Sequence, residues 1–96
     1  MGSVKRQPVY SDYALHPGTV LDEEIRARGI SQVELAGRMR RPKNVVNEII
    51  RGKKTITAQT ALELERVLGI SAETWLNLRT TYELTLARHA SEGAAG

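Results

Sequence analysis

The sequence predicts an all-α domain of five helices. Apolar residues recur at three- and four-residue spacing in successive segments, and residues that favour helix starts and stops bound those segments. No segment shows the sustained alternation of apolar and polar residues that is typical of a strand. The 96 residues, 41% hydrophobic and 26% charged, fit one domain with one modest core.

The first two helices are bounded by proline, glycine and serine. Pro17 lies where a first helix can begin, and Gly29 is placed to end it. Ser31 followed by Glu34 forms a capping-box pattern, which predicts a short second helix of about two turns. Because Ala36 is small, a third helix can pack closely across the middle of the second.

The same kinds of signal bound the other three helices. Pro42 fixes the start of the third helix, and Gly52 can adopt the left-handed conformation that ends it. Thr57 is predicted to cap a fourth helix that runs up to Gly69, and Ser71 to cap a fifth.

The fifth helix has apolar residues on two sides. One side carries a stripe within an arc of about 80°, formed by Trp75, Leu78, Tyr82 and Leu86. We expect this stripe to cover the fourth helix, which leaves Leu76 and Leu84 facing elsewhere. Leu76 and Leu84 are therefore the predicted contacts of a homodimer interface.

The two ends of the chain are predicted to lie outside this domain. Residues 1–15 mix charged and aromatic residues without a period, which indicates a flexible N-terminal arm. The helical domain then spans residues 16–90, and the small and polar residues 91–96 are expected to form a flexible tail.

Composition and spacing argue against catalysis, metal binding and membrane insertion. The chain has no cysteine, which excludes disulfides, thiolate zinc sites and a cysteine nucleophile. His16 and His89 do not have a metal-binding spacing, and we expect His16 to cap or anchor a helix and His89 to be solvated. No apolar run approaches the roughly 20 residues that a bilayer requires, and no signal-peptide core is present. We therefore expect a cytoplasmic protein that is not an enzyme and that has no cofactor, metal or membrane partner.

Positive charge is concentrated in one segment. The net charge of the chain is +3, but residues 38–54 contain seven basic residues and a single acid, Glu48. A basic block on an otherwise acidic small domain favours a polyanion partner, with nucleic acid as the first candidate. A solvated basic face without a partner is the alternative.

Residues 31–51 have the proportions of a helix-turn-helix, in which a short helix and a tight turn present a second helix to the DNA major groove. A compact helical hairpin without a DNA partner would have the same outline. DNA binding is favoured because the side of the third helix that lies away from the core carries groups able to bind base edges or phosphates. We predict base contacts from Lys43, Asn44 and Asn47, phosphate contacts from Gln32, Arg51, Lys53 and Lys54, and long-range attraction from Arg40 and Arg41.

Four stretches between His16 and His89 carry a family resemblance: HPGTVLDEE, GISQVELA, VVNEIIRGKKTIT and ALELERVLGISAETWLNLRTTYEL. Through them the chain resembles the HigA-type antitoxins of bacterial toxin–antitoxin modules, within the xenobiotic-response-element helix-turn-helix superfamily. The resemblance implies a five-helix repressor-like domain, a homodimer, repression of its own operon at operator DNA, and neutralisation of a cognate ribonuclease toxin.

The turn before the third helix departs from the pattern of this family. Arg40, Arg41 and Pro42 stand where the family usually has a glycine, an apolar residue and a serine cap. A positive φ at Arg40 would cost about 1 kcal/mol, and Pro42 lacks the hydroxyl and N–H that could hold a phosphate. Two alternatives stay open: a protein-interaction module that neutralises a toxin with weak or lost operator recognition, and a regulator without a toxin, either complete or the DNA-binding end of a longer chain.

Overall fold

Five α-helices make up the domain in the computed structural model, which describes residues 15–95. They are α1 (Pro17–Arg28), α2 (Gln32–Met39), α3 (Val45–Ile50), α4 (Ala58–Leu68) and α5 (Ala72–Ala95). No strand occurs within residues 15–95, and the all-α prediction is confirmed. Residues 1–14 of the predicted arm lie outside the described residues. α5 continues to Ala95, through most of the segment predicted to be a tail, and the division of the chain into arm, domain and tail stays a prediction.

Four of the five helices begin at the capping residues that the sequence indicates. In each, the side chain of the capping residue accepts a hydrogen bond from a backbone N–H two or three residues ahead. The pairs are His16 Nδ1 with Gly18 (2.9 Å), Ser31 Oγ with Glu34 (3.0 Å), Thr57 Oγ1 with Thr60 (3.2 Å) and Ser71 Oγ with Thr74 (3.1 Å). α3 is the exception, because the side chain of Asn44 makes no capping bond.

Helices α1, α2 and α3 end in the same way. The turn that follows each helix contains one residue with a left-handed backbone: Gly29 (φ 71°), Arg40 (φ 62°) or Gly52 (φ 78°). Its N–H donates to the carbonyl three residues earlier, and the next N–H donates to the carbonyl five residues earlier, which is the Schellman arrangement. Among the described residues, Arg40 is the only non-glycine with a positive φ. The chain therefore keeps the geometry of a glycine turn at a residue that has a Cβ.

One part of the core lies at the crossing of α2 and α3, as the small Ala36 predicts. Leu35, Ala36 and Met39 of α2 are buried against Val46 and Ile49 of α3. The rest of the core comes from the other three helices and from the loop before α4, with these buried residues: Leu21, Ile25, Ile56, Ala61, Leu64, Leu68, Ala72 and Trp75. This packing buries the inner side of α3 and leaves its other side at the surface.

Gly18 determines how closely α1 approaches α3. A Cβ atom built on Gly18 would overlap the carbonyl oxygen of Ile49 and lie 2.8 Å from the Cα of Ile50. Both neighbours are backbone atoms, which cannot turn aside as a flexible side chain could. Only glycine at this position allows α3 to lie at its observed depth against α1.

Packing along α5 differs from the predicted stripe. Trp75 is fully buried, and Leu78 and Tyr82 are half-buried as expected, but Leu86 is 46% exposed. Thr85 is buried instead, and its hydroxyl donates to the carbonyl of Thr81 at 2.8 Å.

The two predicted interface leucines of α5 have different surroundings. Leu76 is half-buried and packs against the core, so the expectation that it faces away from the core is wrong. Leu84 is 45% exposed.

We expect Gly18→Ala to lower the free energy of unfolding by about 3 kcal/mol, the upper end of overpacking costs, because the new methyl group meets backbone. The matched control is Gly37→Ala in α2, where an added Cβ meets no atom within 4 Å. Gly37→Ala should stabilise the domain by about 0.5–1 kcal/mol, since alanine favours a helix interior. Urea unfolding followed by circular dichroism measures both effects, and wild-type stability of Gly18→Ala would contradict the close approach of α1 and α3.

Candidate nucleic-acid interface

The candidate interface is the outer side of α3 together with the turns before and after it. Val46 and Ile49 are directed into the core, so the intervening positions of this short helix lie at the surface. Six of the nine predicted DNA-binding residues are exposed: Arg40, Lys43, Asn44, Arg51, Lys53 and Lys54. The other three are half-buried: Gln32, Arg41 and Asn47. None of the nine belongs to the core.

A side-chain hydrogen bond joins α2 to α3 at this surface. Nδ2 of Asn47 donates to Oε1 of Gln32 at 3.1 Å. Gln32 is the first residue of α2 and Asn47 is the third residue of α3. The sequence assigns these residues to the same surface, and the structure brings their carboxamides into direct contact.

Glu48, the one acid of the basic segment, organises the surface around the end of α3. Its carboxylate accepts a hydrogen bond from Asn44 Nδ2 at 3.2 Å and lies 3.9 Å from Nζ of Lys54. Its backbone carbonyl accepts from the N–H groups of Lys53 and Lys54, at 2.8 and 3.1 Å. The chain therefore folds back after Gly52 and carries both lysines beside α3.

Arg41 has a protein partner that the sequence does not indicate. Its Nε and Nη2 donate to the two carboxylate oxygens of Glu63 in α4, each at 2.8 Å. This bidentate hydrogen bonding lowers the pKa of Glu63 and raises the pKa of Arg41, because both charged forms are stabilised. The pair ties the α2–α3 turn to α4. The negative charge of Glu63 therefore offsets the positive charge of Arg41 at this surface.

Within residues 15–95, the remaining cations near α3 divide into paired and unpaired groups. Arg38 pairs with Glu34 at 2.6 Å, in addition to the pairs that Glu48 and Glu63 make. Four basic residues have no ion pair with a described residue: Arg40, Lys43, Arg51 and Lys53. All four are exposed, so the outer side of α3 has an uncompensated positive charge at both ends.

His16 has the structural role that the sequence predicts. Besides capping α1, its ring lies edge-on against Tyr82 of α5, with centroids 4.7 Å apart and planes at 82°. A Cβ on Gly52 would lie 3.2 Å from its Nε2. His16 therefore packs where α1, α5 and the turn after α3 meet, beside a cavity of about 170 Å³.

The described residues contain neither a metal-binding cluster nor a candidate membrane span. No three His, Cys, Asp or Glu side chains of residues 15–95 come together in a way that could hold a metal ion. None of the helices in this range is long and apolar enough to cross a bilayer.

Comparison with known proteins gives consistent matches. Residues 22–75 match the helix-turn-helix family HTH_3, a range that contains α2, α3 and the whole basic segment. Virulence-associated protein I of Dichelobacter nodosus is 43% identical over 75 residues, which cover 77% of this chain and 69% of that protein.

Solved structures also superpose over most of the chain. An addiction module antidote protein of a HigA family from Coxiella burnetii has a TM-score of 0.78 and 36% identity, covering 84% of this chain and 89% of that one. The Pseudomonas aeruginosa antitoxin HigA, solved with the higBA promoter, has a TM-score of 0.79 and 33% identity, covering 86% of this chain and 91% of that one.

We expect Arg40→Gly to raise the free energy of unfolding by about 1 kcal/mol, because glycine adopts the left-handed conformation without the Cβ penalty. For a domain of this size, that gain corresponds to an increase in Tm of about 4–8 °C. Arg40→Ala is the control, since it removes the same charge but keeps a Cβ at positive φ. Thermal unfolding of both variants tests the expectation, and equal Tm values would show that the turn is not strained.

Proposed function

Because the chain belongs to the HigA-type antitoxins of the xenobiotic-response-element helix-turn-helix superfamily, we propose that it is a DNA-binding repressor and the antitoxin of a toxin–antitoxin module. It binds operator DNA upstream of its own operon and neutralises a ribonuclease toxin encoded beside it. The observation that carries the DNA-binding role is the unpaired positive charge and the carboxamide groups on the outer side of α3. The promoter bound to the Pseudomonas aeruginosa relative supports the same role.

In this proposal α3 lies in the major groove. Lys43, Asn44 and Asn47 contact base edges, because they lie just before α3, at its N-cap and in its middle. Phosphates are contacted from the other predicted positions: Gln32, Arg51, Lys53 and Lys54. Arg40 adds long-range attraction, and Arg41 adds less because Glu63 is its partner.

The proposed role consists of binding and includes no catalytic step. Repression and neutralisation of a toxin require surfaces that bind DNA and protein, and neither requires a cofactor or a metal. A repressor that binds operator DNA acts in the cytoplasm, where bacterial DNA lies.

A second candidate is an interaction module that neutralises a toxin but recognises its operator weakly. The α2–α3 turn favours it, since Arg41 is bound to Glu63 and Pro42 has no N–H. These features reduce the number of donors available to a phosphate at the start of α3. The third candidate is a regulator without a toxin. A neighbouring gene that encodes a small basic toxin would exclude this candidate.

Operator recognition by α3 also implies a two-fold dimer. With six residues, α3 is about 9 Å long and covers only a few base pairs. Useful discrimination then needs two half-sites about one helical turn of DNA apart, which a symmetric dimer provides. We assign this contact at least partly to α5, where Leu84 is 45% exposed and the half-buried Leu76 lies about two turns before it.

We expect the wild-type chain to bind its promoter more tightly than a random duplex at one fixed salt concentration. Asn47→Ala should weaken promoter binding by about 1–3 kcal/mol and relax base preference at one position per half-site, because a bidentate base contact is lost. Fluorescence anisotropy with promoter and random duplexes of equal length measures both quantities. Equal binding of the two duplexes by the wild-type chain would favour the second candidate.

We expect Leu84→Glu to weaken the dimer and, through it, operator affinity, because charges would be placed at or near the two-fold interface. Leu62→Glu is the matched control, since Leu62 is a 56% exposed leucine on α4 outside the assigned interface. Sedimentation velocity at tens of micromolar should show a dimer for the wild type and for Leu62→Glu. A monomeric wild type would contradict the dimer, and an undisturbed Leu84→Glu dimer would contradict the role of α5.

A further inference from the structure

His16 holds the start of α1 against the end of α3. Its Nδ1 accepts a hydrogen bond from the N–H of Gly18 at 2.9 Å, and Gly18 lies directly on the backbone of Ile49 and Ile50. Its Nε2 lies close to Gly52, since a Cβ atom built there would be 3.2 Å away. One imidazole ring therefore contacts both backbone segments whose approach determines where α3 lies.

The cap of α1 differs from the other side-chain caps of the domain because its acceptor can bind a proton. α2, α4 and α5 begin at hydroxyl oxygens, which remain acceptors at any pH near neutrality. Nδ1 of His16 accepts only while the imidazole is neutral and carries its single proton on Nε2. Histidine is the side chain that commonly changes charge between about pH 5 and 8. A proton on Nδ1 makes it a donor, so acidification breaks the capping bond to Gly18.

The charged groups around the ring do not compensate for the lost bond. Lys54, in the loop after α3, and Arg79, on α5, line the same cavity as His16, and both repel an imidazolium ion. The N-terminus of α1 also repels a positive charge. Glu83 lines this cavity and attracts the ion, but it is 57% exposed and lies 3.8 Å from Nε of Arg79. The ring of Tyr82 already contacts the neutral imidazole and gains only a weak attraction to its charged form.

We propose that neutral His16 is a positioning residue for α3, and that its protonation releases the start of α1 from the last turn of α3. While the cap is intact, the first turn of α1 is fixed and Gly18 stays at the depth that its lack of a Cβ allows. Without the cap this turn frays. α3 has six residues and no side-chain cap, so it depends on this contact to stay ordered.

The consequence for DNA binding rests on the proposed function. Because α3 carries the candidate DNA contacts, chains that have released α3 do not bind operator. The apparent Kd then rises in inverse proportion to the fraction of chains that keep α3 in place. The positioning role itself does not depend on DNA and is tested without it.

The test compares the full-length wild type with His16→Asn at about pH 7.5 and about pH 5.5, the range in which histidine changes charge. Asparagine keeps an acceptor at the capping position but does not bind a proton in this range, so it should rescue positioning and remove the pH dependence. His16→Ser is a second cap of this kind, and His16→Leu has no acceptor at either pH. His89→Asn is the matched control, because His89 is exposed near the far end of α5.

On acidification the Tm of the wild type should fall by about 4–8 °C more than that of His16→Asn, as expected when a domain of this size loses one N-cap. His89→Asn should behave as the wild type, and His16→Leu should show no extra fall. Hydrogen exchange measured by NMR reports on α3 through the amides of Arg51 and Gly52, which donate to Asn47 and Ile49. Their protection factors should drop about 5-fold in the wild type and not in His16→Asn. A cap that stabilised only α1 would leave the local opening of α3 unchanged.

Two results would overturn the inference: an equal pH dependence of Tm in the wild type and in both non-titrating caps, or unchanged protection of Arg51 and Gly52 on acidification. Operator binding is measured by fluorescence anisotropy at the same pH values, and the Kd of the wild type relative to His16→Asn should rise as far as the released fraction requires. A Kd that did not follow a measured release of α3 would contradict the DNA-binding role of α3 and leave the positioning role in place.

Discussion

The backbone contact between Gly18 and the end of α3 is the constraint on which the rest of the interface depends. α3 has six residues and no side-chain cap, so its own hydrogen bonds are too few to keep it helical in isolation. It forms because Val46 and Ile49 are buried on α2 and because α1 can approach its last turn without a Cβ at Gly18. The depth of this contact therefore determines how far Lys43, Asn47 and their neighbours stand out from the domain.

The basic residues of the segment 38–54 have two different roles, and the net charge of the segment does not distinguish them. Arg38 and Arg41 pair with Glu34 and Glu63, so these arginines stabilise the positions of α2 and of the turn after it. Because pairing with Arg41 lowers the pKa of Glu63, its carboxylate stays ionised and paired to a lower pH than that of a free glutamate. The unpaired cations lie at the two ends of α3, where they can attract a polyanion without competing for a protein partner.

The sequence predicts local features of this fold well and long-range contacts poorly. Caps and glycine stops depend on residues within five positions of one another, and the predicted ones occur in the structure at Ser31, Thr57 and Gly29, among others. The Arg41–Glu63 pair spans 22 residues, and nothing near either residue indicates the other. Gly18 gave a weaker signal, because a glycine near the start of a helix costs helix stability and so indicates a close approach.

The unexpected exposure of Leu86 on α5 has a different physical origin. Helical periodicity shows which residues share a face, but it does not show where the surface packed against that face ends. Every residue from Leu86 to Glu92 is exposed, and Thr85 is the last buried position up to Glu92. The distal half of α5 therefore extends beyond the core, and Leu86 lies at the surface although it shares a face with Trp75.

Arg40 shows how a local cost can be tolerated at a candidate site. Three helices of the domain end in equivalent turns, and two of them place glycine at the left-handed position. The arginine in the third turn is exposed and makes no side-chain hydrogen bond or ion pair with a described residue, so packing does not offset its strain of about 1 kcal/mol. What Arg40 contributes is a positive charge in the turn that leads into α3. Strained residues of this kind concentrate at functional sites, so the strain at Arg40 supports the proposal that this surface binds DNA.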